Sequence, residues 1–205
     1  MAVPERELRE DDVDADPIVE FGRWYDDAVE HGAVQPDAMT IVSATRDGRP
    51  SARMVLLRGV DHRGFCFYTN YTSRKGRELD ANPRAAIVVH WPEVLRQVRV
   101  TGAVQRVDDA ESDAYWSSRP RASRISAWAS EQSDTVASRA ELEARVVELE
   151  ARFAGADVPR PPGWGGYRVV PDDIELWQHR EDRLHDRIRY TPTAAGSWRI
   201  ERLQP

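Results

Sequence analysis

The apolar positions of this chain change period several times, and each change marks an element. Ile18, Phe21, Trp24, Tyr25 and Ala28 recur at helical spacing behind Asp16-Pro17, a capping side chain followed by a first-turn proline, and Gly32 supplies the stop. From Ala38 the period becomes two. Met39 to Thr45 and Ala52 to Arg58 read as strands joined at Asp47-Gly48, and a second turn at 61–64 leads into a strand from Phe65 to Thr69. Ser73 is placed to cap a short helix through Leu79, closed by Asn82-Pro83. Ala85 to Trp91 and Leu95 to Val107 read as further strands, with Gly102 marking a bulge or a close backbone approach. Helical spacing returns over Asp109 to Ser117 and Ser123 to Ala129, around a turn at Arg119-Pro120. Ser138-Arg139-Ala140-Glu141 is a capping box opening a long amphipathic helix to Phe153. After a Pro/Gly-rich loop at 158–166, Tyr167 to Val170, Ile174 to Gln178, Leu184 to Tyr190 and Ser197 to Arg202 read as the last strands. Many antiparallel strands with inserted helices predict an α+β barrel or sandwich. Residues 1–15 are charged and short of apolar anchors and read as a mobile arm, leaving 16–205 as one domain.

Composition narrows the function more than the fold. A 205-residue chain, 40% hydrophobic and 31% charged, suits one globular domain. A net charge of −6 argues against nucleic acid as a main partner, because phosphate backbones reward a basic surface. The single Cys66 excludes an intramolecular disulfide, and five scattered histidines without carboxylates at ligand spacing argue against a metal site. No apolar run approaches a membrane span and the acidic start is no signal peptide, so the cytoplasm is the expected compartment.

The chain has no G-x-S-x-G, H-E-x-x-H, P-loop or strand-to-helix G-x-G-x-x-G, so an enzyme here would lean on a cofactor for the hard chemistry. Anion-binding clusters are the positive signal. In Arg183-Leu184-His185-Asp186-Arg187, an extended backbone would point Arg183, His185 and Arg187 to one face, a repulsive row unless an anionic or electron-rich molecule sits among them. Ser73-Arg74-Lys75 opens a helix, where free N–H groups favour a phosphate, although a lone Arg-Lys pair is more often a solvated basic surface. Arg53 and Arg58 bracket an apolar strand, five apart and so on opposite faces. Tyr115, Arg119 and Ser123 combine a phenol, a guanidinium and a hydroxyl that could surround a phosphate or could simply make a helix turn soluble. Gln97, Gln132 and Ser133 suit the polar edge of a ring, or a satisfied core. Of seven tryptophans, Trp164 and Trp177 fall where they could wall a planar ligand.

Together these segments resemble the pyridoxine (pyridoxamine) 5′-phosphate oxidase family from about Asp16 to Pro205. The landmarks keep their order: Arg53-Met54-Val55-Leu56-Leu57-Arg58, Phe67-Tyr68-Thr69-Asn70, Ser73-Arg74-Lys75-Gly76, Arg96-Gln97-Val98, Ser118-Arg119-Pro120-Arg121, Ala127 to Ser133, Trp164-Gly165-Gly166-Tyr167-Arg168, Arg183 to Arg187, and Arg202-Leu203-Gln204-Pro205. The resemblance implies an antiparallel split β-barrel homodimer with FMN at the subunit interface. It implies that Arg53, Met54, Val55, Leu56, Leu57, Tyr68 and Thr69 line the flavin, that Arg74 and Lys75 hold its phosphate, and that Gln97, Gln132, Ser133, Trp177 and Arg187 complete the site, partly from the second subunit. Arg58, Tyr115, Arg119 and Ser123 would grip a substrate phosphate, and Arg183 and His185 would lie over the substrate ring as the catalytic pair.

The implied reaction oxidises pyridoxine or pyridoxamine 5′-phosphate to pyridoxal 5′-phosphate, with oxygen reduced to hydrogen peroxide. Three departures bear on the substrate: Arg58 stands where lysine is usual, His179-Arg180 replaces a small glycine-containing pair, and the N-terminal arm is short. Two other readings stay open: a related flavin oxidase of the phenazine-biosynthesis kind, and a flavin- or pyridoxal-phosphate-binding protein without turnover.

Overall fold

Alternating apolar residues close into one curled sheet. The computed structural model describes residues 7–205. The chain begins with α1 (Pro17–Glu30), capped as its sequence predicts, since the Asp16 carboxylate accepts from the Ile18 N–H. Then follow β1 (Ala38–Ala44), β2 (Pro50–Leu56), β3 (Gly59–Asp61), β4 (Gly64–Asn70), α2 (Arg74–Ala81), β5 (Arg84–Trp91) and β6 (Arg96–Arg106). Three helices come next, α3 (Asp109–Ser118), α4 (Arg121–Ala129) and α5 (Arg139–Arg152), before β7 (Trp164–Gln178), β8 (Asp186–Pro192) and β9 (Trp198–Arg202). All pairings are antiparallel, in the order β2-β1-β5-β6-β7-β4-β3, with β8 and β9 added beside the second half of β7. The architecture is the expected α+β split barrel.

The inner face carries the core. Met39, Ile41, Phe65, Phe67, Ile87, Val98, Val169 and Leu176 are fully shielded, and α1 closes over them with Phe21 and Trp24. A second apolar cluster, Trp116, Ile125, Phe153, Val158 and Trp164, holds α3, α4 and α5 against the start of β7. No helix among the described residues is long and apolar enough to cross a membrane.

Three expectations are corrected. Tyr167 to Val170 and Ile174 to Gln178 are one strand. The intervening Pro171-Asp172-Asp173 forms a bulge opposite Thr101 and Gly102, where a proline costs no ladder hydrogen bond. Gly102 is needed there, because a Cβ would lie 2.0 Å from the Val170 carbonyl oxygen. Second, the last-but-one strand starts at Asp186, not Leu184. Glu181–Arg183 form a single 3₁₀ turn, and Asp182 and Arg183 have φ of 56° and 62°. Arg183, His185 and Arg187 therefore do not form a row set by strand alternation. Third, the N-terminal segment has an apolar anchor. Leu8 is buried, its N–H donates to Asp186 Oδ2 at 3.1 Å, and its carbonyl accepts from Arg202. Residues 1–6 of the expected arm lie outside the described residues.

Candidate active site

Two cationic seats line two adjoining clefts. The first is built where β4 runs into α2. Ser73 caps the helix, its Oγ accepting from the Gly76 N–H at 3.3 Å, which places Arg74 and Lys75 in the first turn. Lys75 is 6% exposed, yet among the described residues its ammonium has only neutral partners: it donates to Thr69 Oγ1 and Gln132 Oε1, both at 2.9 Å, and to Ser73 Oγ at 3.4 Å. Burial, and then the charge of Arg53, pulls its pKa down to about 8. An unanswered buried cation is costly, and an anion beside it would relieve the cost. Arg53 comes from the inner side of β2, and Met54 beside it is 62% exposed on the outer face. Residues of β2, Arg74, Lys75, Gln132 and Ser133 line a cleft of about 480 Å³.

The second seat lies between α3 and α4. It lines a larger cleft of about 820 Å³ that shares Leu56, Tyr68, Thr69 and Gln132 with the first. Tyr115, Arg119, Ser123 and Arg58 all line it. The Arg119 guanidinium lies 4.8 Å from the centre of the Trp164 ring and donates through Nη2 to the Ser123 carbonyl at 3.1 Å, while its buried Nη1 has no hydrogen-bond partner among the described residues. Burial lowers its pKa, and the nearby charge of Arg58 adds to that effect. Tyr68 and Tyr115 stack at 4.0 Å, and Trp164 lies parallel to both, which gives the cleft a flat aromatic wall. Arg58, just past the end of β2, has a carboxylate partner: Nη1 donates to Asp37 Oδ2 at 2.8 Å. Leu57 is buried in the core and lines neither cleft, whereas Val55 packs against the core and still borders the first cleft, so the stretch from Arg53 to Leu56 is the part that faces the clefts.

The remaining candidates gather elsewhere. Gln97, Trp177 and Arg187 are register partners across β6, β7 and β8, on the face opposite the core. Neither cleft includes them. Glu175 answers Arg187, accepting from Nε at 2.8 Å and Nη2 at 3.0 Å, which supplies the anion that the sequence row required. The His185 ring packs 4.6 Å from that of Trp177, and its Nδ1 accepts from the Arg180 N–H at 3.2 Å. The neutral imidazole therefore carries its hydrogen on Nε2 and presents a donor. Arg183 is exposed at the 3₁₀ turn.

The partners were harder to read than the cations. Asp37 and Glu175 meet their arginines only through sheet geometry. Glu78 could have been found, because Arg74 and Glu78 stand four apart on a helix.

The chain is similar to known proteins over nearly its whole length. Residues 25–153 match the family model described as pyridoxamine 5′-phosphate oxidase, and residues 164–205 match the pyridoxine 5′-phosphate oxidase C-terminal dimerisation region. A pyridoxine/pyridoxamine 5′-phosphate oxidase of Rubrobacter xylanophilus is 58% identical over 97% of this chain and 91% of its own. The crystal structure of PhzG from Burkholderia lata, in complex with tetrahydrophenazine-1-carboxylic acid, superposes with a TM-score of 0.92 at 36% identity over 98% of each chain. A pyridoxamine 5′-phosphate oxidase-related, FMN-binding protein of Nostoc punctiforme shares the fold, with a TM-score of 0.69 at 18% identity over 89% of this chain and 96% of its own. With both of its segments matched in order and a relative identical at more than half of the aligned positions, this chain is an oxidoreductase that belongs to the pyridoxamine 5′-phosphate oxidase family.

Proposed function

We propose that the protein is an FMN-dependent oxidase that converts pyridoxamine 5′-phosphate, pyridoxine 5′-phosphate or both to pyridoxal 5′-phosphate, reducing oxygen to hydrogen peroxide. The observation that carries this reading is the pair of anion-poor cations on two adjoining clefts. Among the described residues Lys75 is buried with no carboxylate partner, and Arg119, in the neighbouring cleft beyond Tyr68, keeps an orphaned Nη1. Two phosphoryl groups, one from a flavin and one from a substrate, would answer both.

The residues present fit FMN. Arg74 and Lys75 would hold its phosphate at the α2 N-terminus, with Arg53 behind them. Met54, Val55 and Leu56, with Tyr68 and Thr69, would line its body, while Leu57 backs them from the core. Gln132 and Ser133 would close one edge, and Gln97, Trp177 and Arg187 would come from a second copy of the chain. When bound, FMN supplies a two-electron acceptor that oxygen can regenerate. The chain's own side chains do the placing. Tyr115, Arg119, Ser123 and Arg58 would grip the substrate phosphate through charge-assisted hydrogen bonds, which fixes the ring by its far end. Arg183 and His185 would lie over the ring from the partner subunit, His185 offering its Nε2 hydrogen to an acceptor on the substrate. Overall, a hydride leaves the substrate C4′ carbon and a proton leaves its alcohol or amine. For the amine, water then releases ammonia and the aldehyde. The homodimer belongs to the same proposal, supported by the match of residues 164–205 to a dimerisation region.

The second reading, oxidation of a phenazine-type tricyclic acid, draws on the 0.92 TM-score to PhzG. The Tyr115, Arg119 and Ser123 set favours the phosphorylated substrate. Oxygen consumption and peroxide release by FMN-loaded protein separate the readings: turnover with either B6 phosphate is expected. Turnover with tetrahydrophenazine-1-carboxylic acid and none with either B6 phosphate would reverse the assignment.

A further inference from the structure

Beneath the α2 N-terminus lies a carboxylate outside the set that the family resemblance implies. Glu78 is 5% exposed, one helical turn beyond Arg74. Its Oε1 accepts from Arg74 Nε at 2.9 Å, and its Oε2 accepts from Ser43 Oγ at 2.6 Å, Ser51 Oγ at 2.5 Å and Arg53 Nη2 at 3.3 Å. The serines are relays. Arg53 donates through Nη1 to Ser43 Oγ at 2.6 Å and through Nη2 to Ser51 Oγ, and each hydroxyl passes its own hydrogen to Glu78. Burial alone would raise the Glu78 pKa, but these four donors outweigh it and hold the carboxyl at about 2. Lys75 stands outside this network, on Thr69 and Gln132.

We propose that Glu78 is the positioning residue of the flavin phosphate seat, an inference that rests on reading Arg53, Arg74 and Lys75 as that seat. Three cations packed at one cleft repel one another. A buried carboxylate behind two of them cancels one charge and fixes both guanidinium planes, while Lys75 is left for the ligand. The cluster then carries two net positive charges, which complements a phosphomonoester of about −1.5 to −2 at neutral pH. The seat is formed before the phosphate arrives, so little ordering remains for binding to do.

Flavin-fluorescence titrations of the full-length apoprotein, with FMN and with riboflavin, test this. Riboflavin lacks the phosphate and reads the rest of the site. Glu78→Gln is expected to weaken FMN by about tenfold or more, the scale of a lost hydrogen bond to a charged group, and riboflavin by less than about twofold. Glu78→Asp, which keeps the charge at shorter reach, is expected to fall between, and it carries the test if the glutamine variant does not fold. Equal weakening of both flavins would make Glu78 a merely structural tie, and unchanged or tighter FMN binding would overturn its positioning role. Lys75→Ala is the reference. If it leaves the FMN-to-riboflavin ratio unchanged, the seat itself is misread; if it lowers the ratio while Glu78→Gln does not, only the present inference falls.

Discussion

A lysine ammonium held out of water beside neutral partners titrates where a surface lysine does not. Lys75, lowered to about 8 by burial and then by Arg53, is charged in the free protein below that pH and neutral above it. Phosphate binding needs the charged form. FMN affinity should therefore hold near pH 7 and fall as pH rises through 8, by up to about tenfold per unit. The second ionisation of the phosphate, near about 6, sets an acid limb. Lys75→Arg should abolish the alkaline fall, because guanidinium stays protonated; dissociation constants measured across pH 6–10 check both. Asp37 gives a second expectation. It holds Arg58 by a partly buried ion pair, so Asp37→Asn should release that guanidinium toward the substrate phosphate. The KM for pyridoxamine 5′-phosphate should then drop by up to about fivefold, with stability changed by less than about 1 kcal/mol. At this scale the sequence disclosed the cations well, since charge and type are written in it. It concealed their counter-ions: Asp37 reaches Arg58, and Glu175 reaches Arg187, only once strands are in register.

Elements were legible wherever local chemistry decides them. Asp16, Ser73 and Ser138 each cap the helix expected of them, because a short polar side chain before a helical repeat satisfies orphan N–H groups whatever lies around it. Ser73→Ala should cost about 1 kcal/mol, a fall in Tm of roughly 2–4 °C on thermal unfolding. It should also loosen FMN, since the hydroxyl is fully buried beside Lys75. Long-range geometry decided what was not legible. Pro171 reads as a strand break, yet β7 runs through it, because β6 accommodates the extra residue at Gly102. The alternation over 183–187 reads as a strand, but the chain needs a sharp turn to bring β8 back beside β7, and Asp182 and Arg183 take positive φ to make it. Only pairing between distant segments fixes that turn.

At the scale of the molecule, the candidate site divides. Arg53, Lys75, Tyr115 and Arg119 face the clefts, whereas Gln97, Trp177 and Arg187 lie on the sheet face opposite the core, within or paired to the segment that matches the dimerisation-region model. Met54 and Leu56 leave an apolar edge open beside the clefts. A site completed by a second copy explains this division, and it predicts complementation. Lys75→Ala and Trp177→Ala proteins, each inactive alone, should regain about a quarter of wild-type turnover after mixed refolding, because half of the dimers are hybrid and each hybrid has one intact site of two. No recovery in demonstrated hybrids would mean that each chain builds its own site.

The central claim is that the Arg119 seat recognises a phosphoryl group on the oxidised substrate, and the most direct test is the ratio of kcat/KM for pyridoxamine 5′-phosphate to that for pyridoxamine. In FMN-loaded wild-type protein the ratio should exceed about 10², the scale of one lost charge-assisted anchor, and Arg119→Ala should lower it at least tenfold with flavin still bound. A ratio near one in the wild type, or one that Arg119→Ala leaves unchanged, would contradict the account.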